Sequence, residues 1–312
     1  MNFLKRNYLC LFLFIVLLNG TSLKVHCQVI PDTNRTIAID KRKLKTVAIT
    51  TTAIGASAAT LLYYAWYRDY PQSSFHFFND NDEWLQIDKF GHTTTAYYLG
   101  VFSYDALAWS GLNNTQSTIY SGIISFAGLA LIEVFDGFSA AWGASSGDLA
   151  ANFTGTSLFV SQQLLWKEQR IALKYSFHAT DFSNYRPDLL GNNVYERLIK
   201  EYNGQTYWLS ANIHSFLPEE SGFPKWINIA AGYGADGMTG ARSNASEYDG
   251  ISIPRFDRVR QFYLSPDIDL RRIPTKNKTL KTVFKVISFI KIPMPTLEVD
   301  ENGKVRFYLV YF

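Results

Sequence analysis

Three short polar motifs in the first half of the chain carry side chains that could do chemistry together. The first is D-K-F-G-H, in which Asp88 and His92 lie four residues apart. In a helix this spacing places the carboxylate and the imidazole on one face, where a carboxylate can orient a general base. The other two motifs are E-V-F-D, with Glu133 and Asp136, and S-S-G-D-L-A-A-N, with Ser145, Asp148 and Asn152.

In one interpretation the three motifs form a reaction or binding site. His92 is then the catalytic acid–base group and Asp88 orients it. Neighbouring carboxylates could also raise the pKa of one carboxyl group toward neutrality, which suits acid–base catalysis. Two further sets are predicted, namely the ligand-binding side chains Lys89, Asn152 and Ser145 and the metal ligands Glu133, Asp136 and Asp148. The candidate cofactor is a divalent metal ion, since carboxylate, amide and imidazole groups are common ligands of such ions.

In the other interpretation the same residues form a polar network that caps and fastens helices. Ser145 and Asp148 fit the S-x-x-D pattern of a helix N-terminus. Asp88 at a helix start would interact favourably with the helix dipole, and His92 would bond to a carboxylate. The sequence therefore leaves two functions open. One is a non-enzymatic protein whose cluster is structural or binds a small ligand. The alternative is a metal- or acid/base-dependent enzyme acting on a lipid or phosphate-bearing substrate.

The elements that must position these residues are four apolar helical segments. They cover residues 44–70, about 84–109, about 115–135 and about 146–166. All three motifs fall at helix ends, so short loops between antiparallel helices would bring them to one end of a bundle. The apolar composition predicts a bundle of about four helices in a membrane or lying against one.

From about residue 170 the pattern changes to strands. Five segments show period-two alternation or enrichment in β-branched and aromatic residues, and they are 171–182, 206–217, 226–238, 260–272 and 304–312. Residues 280–291 alternate lysines with apolar side chains as an amphipathic helix does, and 292–299 are extended around two prolines. The predicted fold class is α+β, with a β-rich C-terminal part that includes one amphipathic helix.

The predicted domain boundaries begin with a secretory signal peptide at 1–27, recognised by its basic start and short apolar run. A polar linker covers 28–42, the helical bundle 43–168 and the β-rich region 169–312. Both cysteines, Cys10 and Cys27, lie in the signal segment. A mature chain would therefore have neither disulfides nor cysteine-bound metals.

Several function classes are disfavoured. The net charge is only +3, and no basic stripe with interleaved aromatics suggests a nucleic-acid partner. G-Y-G-A-D-G at 232–237 satisfies a dinucleotide-binding pattern, but loop residues follow it where a helix is required, so no dinucleotide partner is predicted. G-A-S-S-G at 143–147 lacks the strand that precedes a nucleophile elbow, which favours Ser145 as a helix N-cap.

The motifs also carry a family resemblance. D-K-x-x-H, the acidic pair of the next helix and S-x-D-x-x-x-N-x-x-G together resemble the YfiM-like family of predicted envelope lipoproteins, and more distantly VanZ-like membrane proteins. F-P-K-W-I-N-I-A-A-G-Y-G-A-D-G-M and Y-L-S-P-D-I-D-L are similar to the larger YfiM-type members with a C-terminal extension. The resemblance implies a protein exported to the bacterial cell envelope. We expect membrane lipids as partners and favour the outer membrane, because the chain ends in alternating aromatic residues.

Overall fold

A computed structural model describes residues 39–63, 67–68 and 70–312. The predicted signal peptide, both cysteines and most of the predicted linker lie outside these described residues. By its internal contacts the chain forms two units. The helical unit comprises Met1–Asp80 and Thr95–Gln169, and the sheet unit comprises Asn81–Thr94 and Arg170–Phe312. The predicted α+β class is confirmed, with helices in the first part and an antiparallel sheet in the second.

Four long helices are formed by the first half of the chain. They are α1 (Lys41–Leu62), α2 (Ile87–Trp109), α3 (Asn114–Asp136) and α4 (Ser146–Trp166). Local sequence sets their starts. Asp40 accepts the N–H groups of Arg42 and Lys43 at the start of α1, and Asn113 forms a reciprocal capping box with Gln116 at the start of α3. The predicted helices are confirmed to within a few residues, except that the described part of the first ends earlier, at Leu62.

Close approach between helices is made possible by small residues. A Cβ at Gly100 of α2 would lie 2.5 Å from the Phe159 ring of α4, so only glycine leaves room for that ring. The Ser125 hydroxyl of α3 donates to the Ala96 carbonyl of α2 at 2.6 Å and lies 3.1 Å from the Thr156 hydroxyl of α4. Serine and threonine hydroxyls thus bond across the helices where larger side chains would hold them apart.

One described helix, α3, is long and apolar enough to cross a membrane by length and composition, and a third of its most apolar window is buried. Core helices of soluble proteins meet the same criteria of length and apolar composition.

The sheet unit is built on six antiparallel strands. Their bounds are β1 Ile171–Phe177, β2 Gln205–Asn212, β3 Ile227–Asp236, β6 Val259–Ile268, β7 Met294–Asp300 and β8 Val305–Tyr311. They lie in the sheet in the order β1-β2-β3-β6-β7-β8. A small hairpin, β4 (Glu247–Tyr248) with β5 (Ile251–Ser252), is inserted before β6. Two short helices, α5 (Pro187–Leu190) and α6 (Val194–Lys200), follow β1, and the amphipathic helix α7 (Lys278–Val286) precedes β7.

The sheet is strongly curled. β2 and β8 are four positions apart in the strand order, which in a flat sheet would separate them by about 19 Å. Instead the Thr206 hydroxyl on β2 lies 3.1 Å from the Tyr311 hydroxyl on β8. Trp208, Tyr263 and Tyr311 pack together on the concave face. A Cβ at Gly232 would lie 2.7 Å from the Trp208 ring, so this glycine of the G-Y-G-A-D-G motif makes room for an aromatic core.

The concave face also buries charge. The Lys174 ammonium lies 2.5 Å from the Asp267 carboxylate, and both side chains are almost completely buried. Lys291 donates to the Ser265 hydroxyl and to two backbone carbonyls at 2.9–3.0 Å. Burial lowers the pKa of Lys291 to about 8 against the raising effect of Asp267. These bonds compensate for the cost of removing the charges from water.

The first turns of α2 belong to the sheet unit and pack on its other face. Ile87 is fully buried against Ala235 and Met238. The Phe90 ring stacks on Tyr233 with ring centroids 4.6 Å apart. A short 3-10 turn, Glu83–Gln86, leads into the helix, and the Leu85 carbonyl accepts the Tyr233 hydroxyl at 2.5 Å.

Candidate functional site

The candidate site of the helical unit begins with the segment before α2, which runs beside the loop between α3 and α4. Gln72 pairs with Ser139, and Phe77 pairs with Ala144, in isolated β-bridges. The Phe78 N–H donates to the Ala144 carbonyl at 3.0 Å. These backbone bonds bring Asp80, two residues further on, to the N-terminus of α4.

Ser145 stands at the centre of the site. Its hydroxyl donates to Asp80 Oδ1 at 2.6 Å and accepts the Asp148 N–H at 3.0 Å. Its own N–H donates to Glu133 Oε2 at 3.0 Å. The prediction that Ser145 is the N-cap of a helix is therefore confirmed. The residues before it are loop and turn, which differs from the strand that a nucleophile elbow requires.

Three carboxylates converge around this serine. One oxygen of Glu133 lies within 4.8 Å of an Asp148 oxygen, and the same holds for Asp80 and Asp148. Glu133 is 2% exposed and Asp148 is 6% exposed. Burial raises the pKa of Glu133 to about 8. The Ser145 N–H acts in the opposite direction, while the nearby carboxylates of Asp148, Asp136 and Asp80 raise the pKa further.

This arrangement can hold either a proton or a cation. Carboxylates that share a buried site cannot all be ionised without a compensating positive charge. With a pKa of about 8, Glu133 binds a proton near neutral pH. A divalent cation could take the place of this proton, because hard cations take carboxylate and hydroxyl oxygen ligands. Asn152, one turn further along α4 and fully buried, adds an amide on the same helix.

Asp136 has partners of a different kind. Its Oδ1 accepts the Tyr67 hydroxyl at 2.5 Å and the Trp142 indole N–H at 2.8 Å. Burial, followed by the Asp136 carboxylate, raises the pKa of Tyr67 far above its usual range, so Tyr67 stays protonated and donates. The described bonds of Asp136 therefore hold aromatic side chains beside the site, and its predicted role as a metal ligand stays a prediction.

Asp88, Lys89 and His92 lie in the first turns of α2, within the sheet unit. There the Lys89 ammonium pairs with Asp88 at 2.9 Å, and both side chains are mostly buried. Asp88 stands in the first helical turn, as the sequence predicts. Their predicted catalytic and ligand-binding roles, and a partnership with Glu133 and Asp148, stay predictions.

Asp80 is the member of the cluster that the sequence interpretation missed. It lies in the polar run N-D-N-D at 79–82, which resembles an ordinary loop. Its position depends on the bridges between residues 72–77 and 139–144, and such pairings between two irregular segments leave no periodic pattern in the sequence. The acidic run just before a predicted helix was the available signal.

A family of known proteins matches part of the chain. Residues 76–163 match the family model described as "Predicted periplasmic lipoprotein (DUF2279)". The matching family indicates an exported envelope protein. No curated protein and no solved structure matches the chain. The matched segment includes Asp80, Glu133 and Asp148 as well as the D-K-F-G-H motif, so the whole candidate site lies within it.

Proposed function

We propose that this exported envelope protein binds a divalent cation at Asp80, Glu133 and Asp148, and that the cation fastens α3, α4 and the segment before α2. The observation that carries the proposal is the convergence of three carboxylates around the Ser145 N-cap. Two of these carboxylates are buried, and carboxylate oxygens are the hard ligands that divalent cations take. A bound cation would connect three segments of the chain.

The donor set indicates which cations to test. Three carboxylates, a hydroxyl and an amide are hard oxygen ligands, which suit Ca²⁺, Mg²⁺ and Mn²⁺. Zn²⁺, which takes nitrogen and sulfur ligands more readily, serves as the comparison cation. The cation must displace the proton of Glu133, so binding should weaken as the pH falls below about 8.

The test is thermal unfolding of the full chain after chelation, with each of the four cations added separately at pH 8. A ligand that binds only the folded state at 100 times its Kd stabilises by about 2.7 kcal/mol. We expect at least one cation to raise the Tm of the parent protein. Glu133→Gln should abolish that rise, while the control Asp188→Asn, which changes a partly exposed carboxylate of the sheet unit, should retain it.

The competing function is a neutral polar network with Glu133 protonated. Glutamine resembles protonated glutamate in shape and still accepts the Ser145 N–H. In that case Glu133→Gln melts like the parent protein at pH 7, and no cation changes either Tm. This pair of results would refute the cation site and assign the cluster a purely structural role.

A second candidate function is favoured by the same pKa. A carboxyl group that titrates near pH 8 can both accept and donate a proton at physiological pH. Such a group suits an acid/base-dependent enzyme acting on a lipid or phosphate-bearing envelope substrate, with His92 and Asp88 as further catalytic residues. His92→Ala and Glu133→Gln would then abolish turnover without lowering the Tm, measured with phospholipid and phosphate-ester substrates.

The family group of the chain and the membrane in which it is located are also part of the proposal. We infer membership of the larger YfiM-type group, with a distant relation to VanZ-like proteins, from the motifs quoted above. We infer location at the outer membrane from the exposed aromatic and aliphatic side chains that alternate along β8, as they do in outer-membrane strands. Fractionation of the two membranes with antibody detection of the mature protein tests that location, and recovery in the inner-membrane fraction would contradict it.

A further inference from the structure

The convex face of the curled sheet is apolar along whole rows of paired residues. One row crosses all six strands through directly paired positions, and its members are Leu173, Leu209, Ala231, Leu264, Leu297 and Phe307. The adjacent row contains Ile171, Ala211, Ile229 and Pro266. Neither row contains a side chain that ionises or forms a hydrogen bond.

Large side chains of this face are exposed. Leu264 is 52% exposed and Phe307 is 64% exposed, and Leu209, Ile229, Phe262, Leu297 and Val305 are between 40% and 61% exposed. Toward one end of the sheet, Phe90 covers Tyr207 and Tyr233, so the exposed region is bounded on that side. We call the exposed set Leu209, Ile229, Phe262, Leu264, Leu297, Val305 and Phe307 the apolar face.

The polarity of the sheet is the reverse of that in a soluble sheet. A water-exposed antiparallel sheet buries apolar side chains and exposes polar ones, whereas lipid-facing strands expose apolar side chains and turn polar ones inward. Here the inward positions carry Lys174, Asp267 and Glu298, which form ion pairs and hydrogen bonds within the concave face. The polar groups are thus compensated inside, and the two apolar rows of the outer surface carry no hydrogen-bonding side chain.

Positive charge lies beyond one end of this face. β6 passes through Phe262, Leu264 and Pro266 and then leads into a pocket of about 470 Å³, whose cationic lining residues are Arg271, Arg272, Lys276 and Lys281. Asp269 pairs with both arginines at 3.1–3.3 Å, but the two lysines add net positive charge. The neighbouring helix α7 exposes Leu280 and Val283 beside its lysines. Basic amphipathic helices of this kind bind at the surface of anionic membranes.

We propose that the apolar face contacts the acyl chains of one membrane leaflet, and that the cationic pocket binds the phosphate of an anionic lipid head group. From Phe262 to Pro266 the face extends about 13 Å along the strand, close to half of a hydrocarbon core about 30 Å thick. Head-group contacts beyond Pro266 then fall where the leaflet ends. The proposal rests on the envelope location given above, but it does not depend on the cation site.

A lipid occupant fits this face better than a protein partner. Protein interfaces carry about one hydrogen bond per 100–200 Å² and a polar rim. The two apolar rows offer no side-chain donor or acceptor, whereas acyl chains require none. The adjacent cluster of cations complements the negative charge of lipid phosphates rather than an apolar protein surface.

The test is flotation of the purified full chain with vesicles of phosphatidylcholine alone or with added phosphatidylglycerol. We expect the parent protein to float with both and to bind more tightly to the anionic vesicles. The double variant Leu264→Asn/Leu297→Asn should lower the partition coefficient about tenfold or more with both compositions. The control Val194→Asn, at a position 68% exposed on α6, should bind like the parent protein.

The pocket is tested by Lys276→Gln/Lys281→Gln, which should lose roughly fivefold per lysine on anionic vesicles only. Lys304→Gln, an exposed lysine in the turn between β7 and β8, serves as the control. Circular dichroism verifies that each variant is folded. Inorganic phosphate distinguishes the source of the anion. If it competes with the vesicles at millimolar concentration, the pocket recognises free phosphate and the head-group assignment is wrong.

Two results would overturn the proposal. If the double leucine variant floats like the parent protein, another part of the chain binds the membrane. If the parent protein does not float but sediments as a dimer that the same variant dissociates, the face is an interface between copies. Glu133→Gln should lose the cation response and still float, so failure of the cation site is distinguishable from failure of this proposal.

Discussion

Glu133→Gln should remove a large pH dependence from the stability of the helical unit. The carboxyl pKa of Glu133 rises from 4.5 to about 8 on folding, chiefly because the side chain is buried. The folded state therefore binds more protons than the unfolded state between these two pH values. The contribution of this proton to the free energy of unfolding is fully present below pH 4.5 and is lost as the pH rises through 8. At 1.36 kcal/mol per pH unit, the contribution lost between pH 4.5 and 8 is about 5 kcal/mol.

Urea unfolding in the presence of chelator, at pH values from 5 to 9, measures this effect. Without a bound cation, the free energy of unfolding of the parent protein relative to Glu133→Gln should fall by about 1.4 kcal/mol per pH unit between pH 5 and 8. Asp188→Asn should follow the parent protein, because it leaves the cluster unchanged. If the parent protein and Glu133→Gln give parallel curves, Glu133 has an ordinary pKa, and the argument that three carboxylates share a buried site is wrong.

Three further predictions concern packing and buried charge. Gly100→Ala should destabilise the folded protein by about 1–3 kcal/mol, because its Cβ would lie 2.5 Å from the packed Phe159 ring. The control Gly128→Ala, whose Cβ would have no atom within 4 Å, should stabilise it by about 0.5–1 kcal/mol. Thermal unfolding measures both. Asp267→Ala should cost about 3–5 kcal/mol in urea unfolding, since it leaves Lys174 charged and buried. Burial lowers the pKa of Lys291 from 10.5 to about 8, so between these pH values the unfolded state binds more protons than the folded state. The free energy of unfolding should therefore rise from pH 8 toward pH 10.5, and Lys291→Met should flatten this rise.

Much of the fold could be predicted because it depends on local patterns. Helices α3 and α4 follow from apolar composition and end signals, and Ser145 is recognisable as an N-cap from S-x-x-D alone. The strands were recognisable from their alternation, and the amphipathic helix from its lysines. The short helices α5 and α6 were missed, since segments of four and seven residues are too short to show a helical period.

The site and the polarity of the sheet depend on contacts that no local pattern encodes. Asp80 reaches Ser145 only because two irregular segments form bridges. Alternation along β6 separates two faces, but it does not say which of them is buried. That choice depends on the curl of the sheet, which brings Lys174 on β1 to Asp267 on β6. The usual assumption that apolar side chains face the core would have placed Leu264 inside.

The order of strands in the sheet has a consequence for export. The strands lie in the sheet in the order in which they occur along the chain, with only the β4–β5 hairpin inserted between β3 and β6, so pairing can begin as the chain emerges from the translocation channel. The interior closes only later, because Lys174 must wait for Asp267, 93 residues further on. In that interval the concave face carries uncompensated charge, and the apolar face is exposed to water. A folding intermediate that exposes both an apolar surface and unpaired charge is prone to aggregate until its last strands are added.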